Sequence, residues 1–207
     1  MAQFFRIHPQ DPQLRLIKEA VTIIRQGGIV VYPTDSCYAL GCQPGDKEAL
    51  ERLRQIRQLD SHHNMTMICP DLSNISQYAK LDNASFRLIK SLTPGPYTFL
   101  LKASRDVPRR LQHPRRRTIG LRVPDNNIIV AILASLGGPL LNTSLILPGD
   151  GLPLTDPDKI RELLESRVDL IIDGGIGGIE ATSVIDLVEG YPRIVREGKG
   201  DLTKIGV

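Results

Sequence analysis

Apolar residues along this chain switch repeatedly between a helical and a strand-like rhythm. After Pro12, Leu16, Ile17, Ala20, Val21 and Ile24 recur at the i, i+4, i+8 spacing of an amphipathic helix. Gly27-Gly28 predicts its end by offering a left-handed cap. Ile29 to Tyr32 is then a short β-branched run stopped by Pro33, the pattern of a buried strand delivering Thr34-Asp35-Ser36 at its carboxyl end. Asp46 predicts the N-cap of a helix with Ala49, Leu50, Leu53 and Ile56 on one face and Arg57 near its last turn. Asn64 to Cys69 reads as a strand. Two helical stretches follow, one begun by Asp71 and one carrying Phe86, Leu88, Ile89 and Leu92, until Thr93-Pro94-Gly95-Pro96 forces a break.

Tyr97 to Lys102 and Thr118 to Val123 read as strands on either side of an arginine-rich loop. Asn126 or Asn127 caps a helix through Leu136, Gly137-Gly138 ends it, and Leu140 to Thr143 forms a strand that exposes Ser144. Asp156-Pro157 starts a helix running to about Ser166, since proline at the first helical position has no amide to waste. Val168 to Ile172, Ser183 to Val188 and Arg193 to Val195 supply three more strands, separated by the Gly174 to Gly178 cluster and by Gly190-Tyr191-Pro192. Helices alternate with strands early and strands crowd together late. The expectation is one α/β domain over 1–207, a twisted mixed sheet flanked by helices, with ligands at strand carboxyl ends.

Composition narrows the class. An apolar fraction of 41% over 207 residues can bury a core of its own. The longest apolar runs, such as Ile128 to Leu136, are far short of the roughly 20 residues that span a bilayer. The start, Met1-Ala2-Gln3-Phe4-Phe5-Arg6, lacks the charged-then-apolar pattern of a signal peptide, so a cytoplasmic protein without a membrane partner is expected. Cys37, Cys42 and Cys69 form no CxxC pair and read as reduced, buried, small hydrophobes. The net charge of +3 hides an asymmetry: seven arginines against Asp106 give +6 between Arg105 and Arg122, leaving −3 for the rest. That stretch suits phosphate, which makes Arg109, Arg110, Arg115, Arg116 and Arg117 candidate RNA contacts, although such a run also serves simply as a solvated face.

Several common chemistries are excluded by spacing. The Gly174 to Gly178 cluster precedes a strand, whereas a dinucleotide fingerprint needs a helix there. The four histidines have no metal spacing with the cysteines, so no metal site is expected, and no G-x-S-x-G elbow occurs. What remains is a set of hydroxyls and arginines around strand ends: Thr34, Ser36, Thr66, Thr118, Thr143, Ser144, Thr182 and Ser183, with Arg57, Arg122 and Arg196. Hydroxyls donate and accept, and arginine binds carboxylate or phosphate through a planar fork, so together they suit an anionic ligand.

Pro33-Thr34-Asp35-Ser36-Cys37-Tyr38-Ala39-Leu40-Gly41 resembles the PTDTVYGLG signature of the YrdC/Sua5 family. Thr93-Pro94-Gly95-Pro96-Tyr97-Thr98 resembles its PGPxT turn, Gly120-Leu121-Arg122-Val123-Pro124 its GxRxP strand, Thr182 to Asp186 its STIVD strand, and Val195-Arg196-Glu197-Gly198 its LRxG ending. These fall in the family's order across nearly the whole chain. The opening Gln3-Phe4-Phe5 with Ile7-His8-Pro9 is most similar to the YciO branch.

The resemblance implies a YrdC-like sheet around a concave basic cavity. It also implies an activity related to joining L-threonine, bicarbonate and ATP into threonylcarbamoyl-adenylate, the donor for threonylcarbamoyl-adenosine in tRNA. Magnesium would then accompany ATP, and double-stranded RNA or tRNA would be a partner. By position, Thr34 and Tyr38 would line the threonine and carbamate pocket, Arg57 would be the arginine of KxR and Ser144 the serine of SxN, with Arg122, Thr182 and Arg196 completing a polar wall. Thr34, Arg57 and Ser144 are thereby the catalytic candidates. The chain departs from the family pattern at Gln55 for the KxR lysine, at Ile146 for the SxN asparagine, and near His63, where a lysine is expected. Losing a charge and an amide weakens nucleotide handling by about two to four orders of magnitude if the losses are independent. The alternative implied is a non-catalytic RNA-binding maturation factor.

Overall fold

In the computed structural model, which describes residues 1–60, 63 and 65–205, the two rhythms resolve into strands and helices of a mixed α/β fold. The described strands are β1 (Gln3–Arg6), β2 (Val30–Tyr32), β3 (Ala39–Cys42), β4 (Thr66–Ile68), β5 (Tyr97–Lys102), β6 (Thr118–Arg122), β7 (Leu140–Ser144), β8 (Leu170–Asp173), β9 (Ser183–Asp186) and β10 (Arg193–Arg196). The helices are α1 (Leu14–Arg25), α2 (Lys47–Arg57), α3 (Leu72–Tyr78), α4 (Asn83–Leu92), α5 (Asn127–Leu136) and α6 (Pro157–Leu164). Side chains cap several helices as their residue types dictate. Asp46 accepts from the Ala49 amide at 2.9 Å, Asn126 from the Ile128 and Ile129 amides, and Asp156 from the Asp158 amide. Gly137, at φ 77°, closes α5 in the left-handed conformation.

All ten strands join one sheet in the order β1-β8-β2-β3-β7-β4-β6-β5-β9-β10. A single cross-strand row runs through it: Gln3, Leu170, Val30, Gly41, Asn142, Thr66, Gly120, Leu100, Asp186 and Arg193 pair in succession. The neighbouring row contains Leu141, Met67, Leu121, Phe99 and Ile185. Successive strand residues face opposite ways, so these two rows lie on opposite faces of the sheet. Leu141, Met67, Leu121, Phe99 and Ile185 are buried in the larger core with Leu50 and Leu53 of α2, Ile89 of α4 and Ile160 of α6. Each such side chain contributes about 1.5–3 kcal/mol of burial. On the other face, Leu170 and Val30 form a second core with Ile17 and Ile24 of α1 and Ile128 and Ile132 of α5.

Two strands have no counterpart in the hydrophobic pattern. Ala39, Leu40, Gly41 and Cys42 of β3 are all buried, so that strand shows no alternation, and β1 is a short edge paired in parallel with β8. All three cysteines are free and buried, and burial pushes the Cys42 and Cys69 thiols up to about 12. Asn64, expected to open the strand of β4, lies outside the described residues. Among the described residues no helix is long and apolar enough to cross a membrane.

Candidate functional site

On the face that carries α1 and α5, the long row changes character at Asn142. Leu170 and Val30 lie in the apolar core beneath the helices, whereas Asn142, Thr66 and Leu100 line a cavity of about 520 Å³. Three guanidiniums, Arg57, Arg122 and Arg196, line it together with Thr98, Thr143, Ser144 and Thr182. Ile146, Val184 and Val195 add apolar wall, and Asp60 and His63 also contribute to the lining. Gly120 keeps the floor low, because a Cβ there would come within 2.6 Å of Thr66 Oγ1.

Neighbours fix most of these groups. Buried Tyr32 donates its hydroxyl to Asn142 Oδ1 at 2.6 Å, with its ring resting where a Cβ on Gly41 would stand, 2.7 Å from that ring. Burial drives the Tyr32 phenol far above its ordinary value, outweighing the opposing pull of Arg122, so it stays a donor and the Asn142 amide nitrogen is left for other partners. Thr98 and Thr182 share a hydroxyl hydrogen bond of 2.9 Å. Arg196 donates twice to the Thr182 carbonyl, at 3.0 and 2.8 Å, and once to its hydroxyl at 3.1 Å. Buried Arg122 forms an ion pair with the Asp35 carboxylate, at side-chain exposures of 3% and 10%, and reaches Thr34 Oγ1 at 3.3 Å. Arg57 ends α2, and partial burial lowers its pKa from the ordinary value, as it also does for Arg196, where repulsion from Arg122 adds to the effect. Both remain charged at neutral pH. Arg57 Nε, Arg122 Nε and Asp35 Oδ2 are buried without a hydrogen-bond partner among the described residues, the condition of donors and an acceptor that a ligand or water would satisfy.

Of the residues expected from sequence, Arg57, Thr66, Arg122, Thr143, Ser144, Thr182 and Arg196 come together on the cavity wall. Thr34, Ser36, Tyr38, Thr118 and Ser183 are not among the lining residues, and for most of them the backbone nearby explains why. The Thr34 hydroxyl donates to the Cys37 carbonyl at 2.7 Å and accepts from the Ser36 and Cys37 amides, closing the turn after β2, with Ser36 buried inside it. Tyr38 donates to the Gly175 carbonyl at 2.7 Å and accepts from the Gly174 amide, so it anchors the glycine-rich loop. Ser183 holds the C-terminal segment through the Gly200 carbonyl and the Gly198 amide. Thr118 is buried at the far end of β6 from Arg122, about 13 Å away at strand rise. Thr98, Asn142 and the Arg122 partner Asp35 are site residues that the sequence does not single out. Asn142 stands two residues before Ser144 in the same strand, so the strand period is the signal that points to it. Gln55, where the family has lysine, is exposed and absent from the lining, whereas Ile146 is in it.

The five loop arginines are all exposed, but they are not equivalent. Arg110 donates to the Gly45 carbonyl, and Arg116 forms an ion pair of 2.6 Å with buried Asp186, which Arg193 also holds at 2.9 Å. Asp186 belongs to the same cross-strand row as the cavity residues Leu100 and Thr66, so Arg116 ties the loop to the sheet. Among the described residues, no hydrogen bond or ion pair engages the guanidiniums of Arg109, Arg115 or Arg117.

Comparison with known proteins agrees with this geometry. The Sua5/YciO/YrdC family model, described as "Telomere recombination", matches residues 22–198. The uncharacterized protein YciO of Escherichia coli is 55% identical over 98% of both chains, and its crystal structure superposes with a TM-score of 0.96 over 99% of this chain and 100% of its own. A threonylcarbamoyl-AMP synthase of Chromobacterium violaceum is 35% identical over 91% of this chain and 96% of its own. P. abyssi Sua5 complexed with L-threonine shares 25% identity at a TM-score of 0.86, over 94% of this chain and 57% of that one. From the family-model match over residues 22–198 and the near-full-length identity to YciO, the chain belongs to the Sua5/YciO/YrdC family.

Proposed function

We propose that this protein binds a nucleotide carrying a threonylcarbamoyl group in the sheet cavity and acts in threonylcarbamoyl-adenosine chemistry of tRNA. The observation that carries the proposal is the cavity itself, where three guanidiniums converge with hydroxyls on a floor flattened by Gly120. Phosphate and carboxylate both match the guanidinium fork, and the apolar side at Ile146, Val184 and Val195 suits a base or a methyl group. Arg57 and Arg196 would orient the anionic groups and offset charge that develops during reaction, with Ser144 and Asn142 fixing polar edges. Magnesium enters this reading only with a triphosphate. Asp60 is the carboxylate among the lining residues, and no cluster of three or more metal-ligating side chains occurs among the described residues, so the described residues do not form a magnesium cage of their own.

The test is an assay in both directions. Protein with ATP, L-threonine and bicarbonate is assayed for pyrophosphate, and protein with tRNA bearing the modified adenosine is assayed for loss of the modification. Activity in either direction that falls at least about 100-fold in Arg57→Ala supports the site. Activity in neither, with none gained on Ile146→Asn, removes it. A second reading, an RNA-binding maturation factor, rests on the exposed arginines of the loop before β6, and steep weakening of RNA binding by salt is its signature.

A further inference from the structure

Beyond the Leu100 edge of the cavity floor lies a second hollow of about 290 Å³, lined by Arg116, Asp186, Glu189, Tyr191 and Arg193. The two are neighbours on one face of the sheet. Leu100 lines the cavity and pairs directly with Asp186, which sets their strands about 4.8 Å apart. Val184 also lines the cavity, and Asp186 follows two residues on in β9, so both project to the same side. β10 continues this alignment through a bulge. Arg193 stands opposite Asp186 and Ile194 opposite Ile185, but Val184 is met by Arg196, leaving Val195 as the extra residue. Without the bulge, Arg193 and Arg196 would face opposite ways. With it they stand in file on the cavity side, opposite β9 positions about 6.7 Å apart at strand rise.

Resting on the proposed function, we infer that this hollow is a subsite for the nucleotide next to the one in the cavity, so that the ligand is a nucleotide within an RNA strand rather than a free mononucleotide. Hydrogen bonds to Thr182 use Nε and Nη2 of Arg196, and the ion pair to Asp186 uses Nη2 of Arg193. Each guanidinium therefore keeps further N–H groups for a phosphodiester that bridges the two sites. Arg116 and Arg193 both hold the buried Asp186 carboxylate, at 2.6 and 2.9 Å, which fixes the walls of the hollow. Tyr191 is 62% exposed, and its ring gives a base a flat face to stack on. Exposed Glu189 supplies acceptors for base amino groups, and its charge with that of Asp186 offsets Arg116 and Arg193. Asp82, whose carboxylate lies by Gly190 in the same turn, adds negative charge at the outer end. Such a lining suits a base better than a run of phosphates, while Arg115 and Arg117, on either side of Arg116 in the chain, remain for the outer backbone. Single-stranded RNA is recognised in this manner, with splayed bases stacked on aromatic rings and cations following the backbone.

The experiment is calorimetric titration of the whole protein with AMP and with the single-stranded trinucleotide pApApA, free of divalent cations, at constant ionic strength. The trinucleotide is expected to bind at least about tenfold more tightly than AMP. In Tyr191→Ala the ratio of the two affinities falls toward one, whereas Tyr191→Phe, which keeps the ring, retains it. Equal affinities in the wild type overturn the inference and leave the proposed function standing. A preference for the trinucleotide that Tyr191→Ala leaves intact overturns the subsite and assigns the gain to the loop arginines. Should neither ligand bind, the proposed function falls and takes this inference with it. The wild-type ratio decides between strand and mononucleotide independently of whether either variant folds.

Discussion

At Asn142 one hydrogen bond decides what the cavity floor offers. Tyr32 holds the amide oxygen, and its ring occupies space that exists only because residue 41 is glycine. Tyr32→Phe strands a buried carbonyl oxygen and is expected to cost about 1–3 kcal/mol, read as a lower urea midpoint with an unchanged m-value. An unchanged midpoint would show that the bond contributes nothing. Asp186 makes a second prediction at this scale. Burial alone would raise its pKa, but hydrogen bonds from Arg116, the Val188 amide and Arg193 prevail and hold it below the ordinary carboxylate value. A depressed folded-state pKa contributes stability that is fully present above the unfolded value of about 3.9 and is lost as pH falls through the folded one. Asp186→Asn is therefore expected to lower Tm at neutral pH and to converge with the wild type as both are acidified below about pH 4. Parallel curves at all pH values would refute the assignment.

Among the elements, α2 links sequence to site most directly, since its Asp46 cap starts the helix and Arg57 ends it on the cavity wall. Asp46→Ala is expected to cost about 1 kcal/mol of stability, with Asp46→Asn close to neutral, measured by thermal unfolding. Equal losses in both variants would mean that the charge, and not the capping oxygen, is responsible. Helices of this kind are legible in the sequence because cap and periodicity agree: Asp46, Asn126 and Asp156 each begin the helix expected of them. Strands with an alternating or bounded apolar run are equally legible, and β5 spans Tyr97–Lys102 as its sequence reads. β3 is not, because a strand buried on both faces carries no period. Within the site, arginines and hydroxyls at strand ends announce themselves by type. Tyr38 and Ser183 do not reveal that their hydroxyls bind backbone 137 and 17 residues away, since such pairings are properties of topology.

For the molecule as a whole, the unequal charge along the chain becomes an arrangement in space. The loop arginines precede β6 while Arg122 ends it, so basic groups stand at both ends of one strand, joined along the sheet face by the Asp186 row. If that face takes RNA, Arg109, Arg115 and Arg117 are, of the five candidate contacts, those whose guanidiniums no described residue engages, while Arg116 is committed to Asp186. Replacing those three by glutamate should reduce RNA affinity for all sequences alike and flatten the slope of log affinity against log salt by about 0.9 for every phosphate no longer neutralised. Stability should stay within about 0.5 kcal/mol, since the three guanidiniums make no hydrogen bond or ion pair with a described residue. Arg116→Glu should behave differently and destabilise the fold, because it sets a second carboxylate against Asp186. An RNA affinity that the triple replacement leaves intact, or a wild-type affinity insensitive to salt, would mean that the loop charge serves solubility, and recognition of an anionic ligand would then rest on the guanidiniums of the cavity.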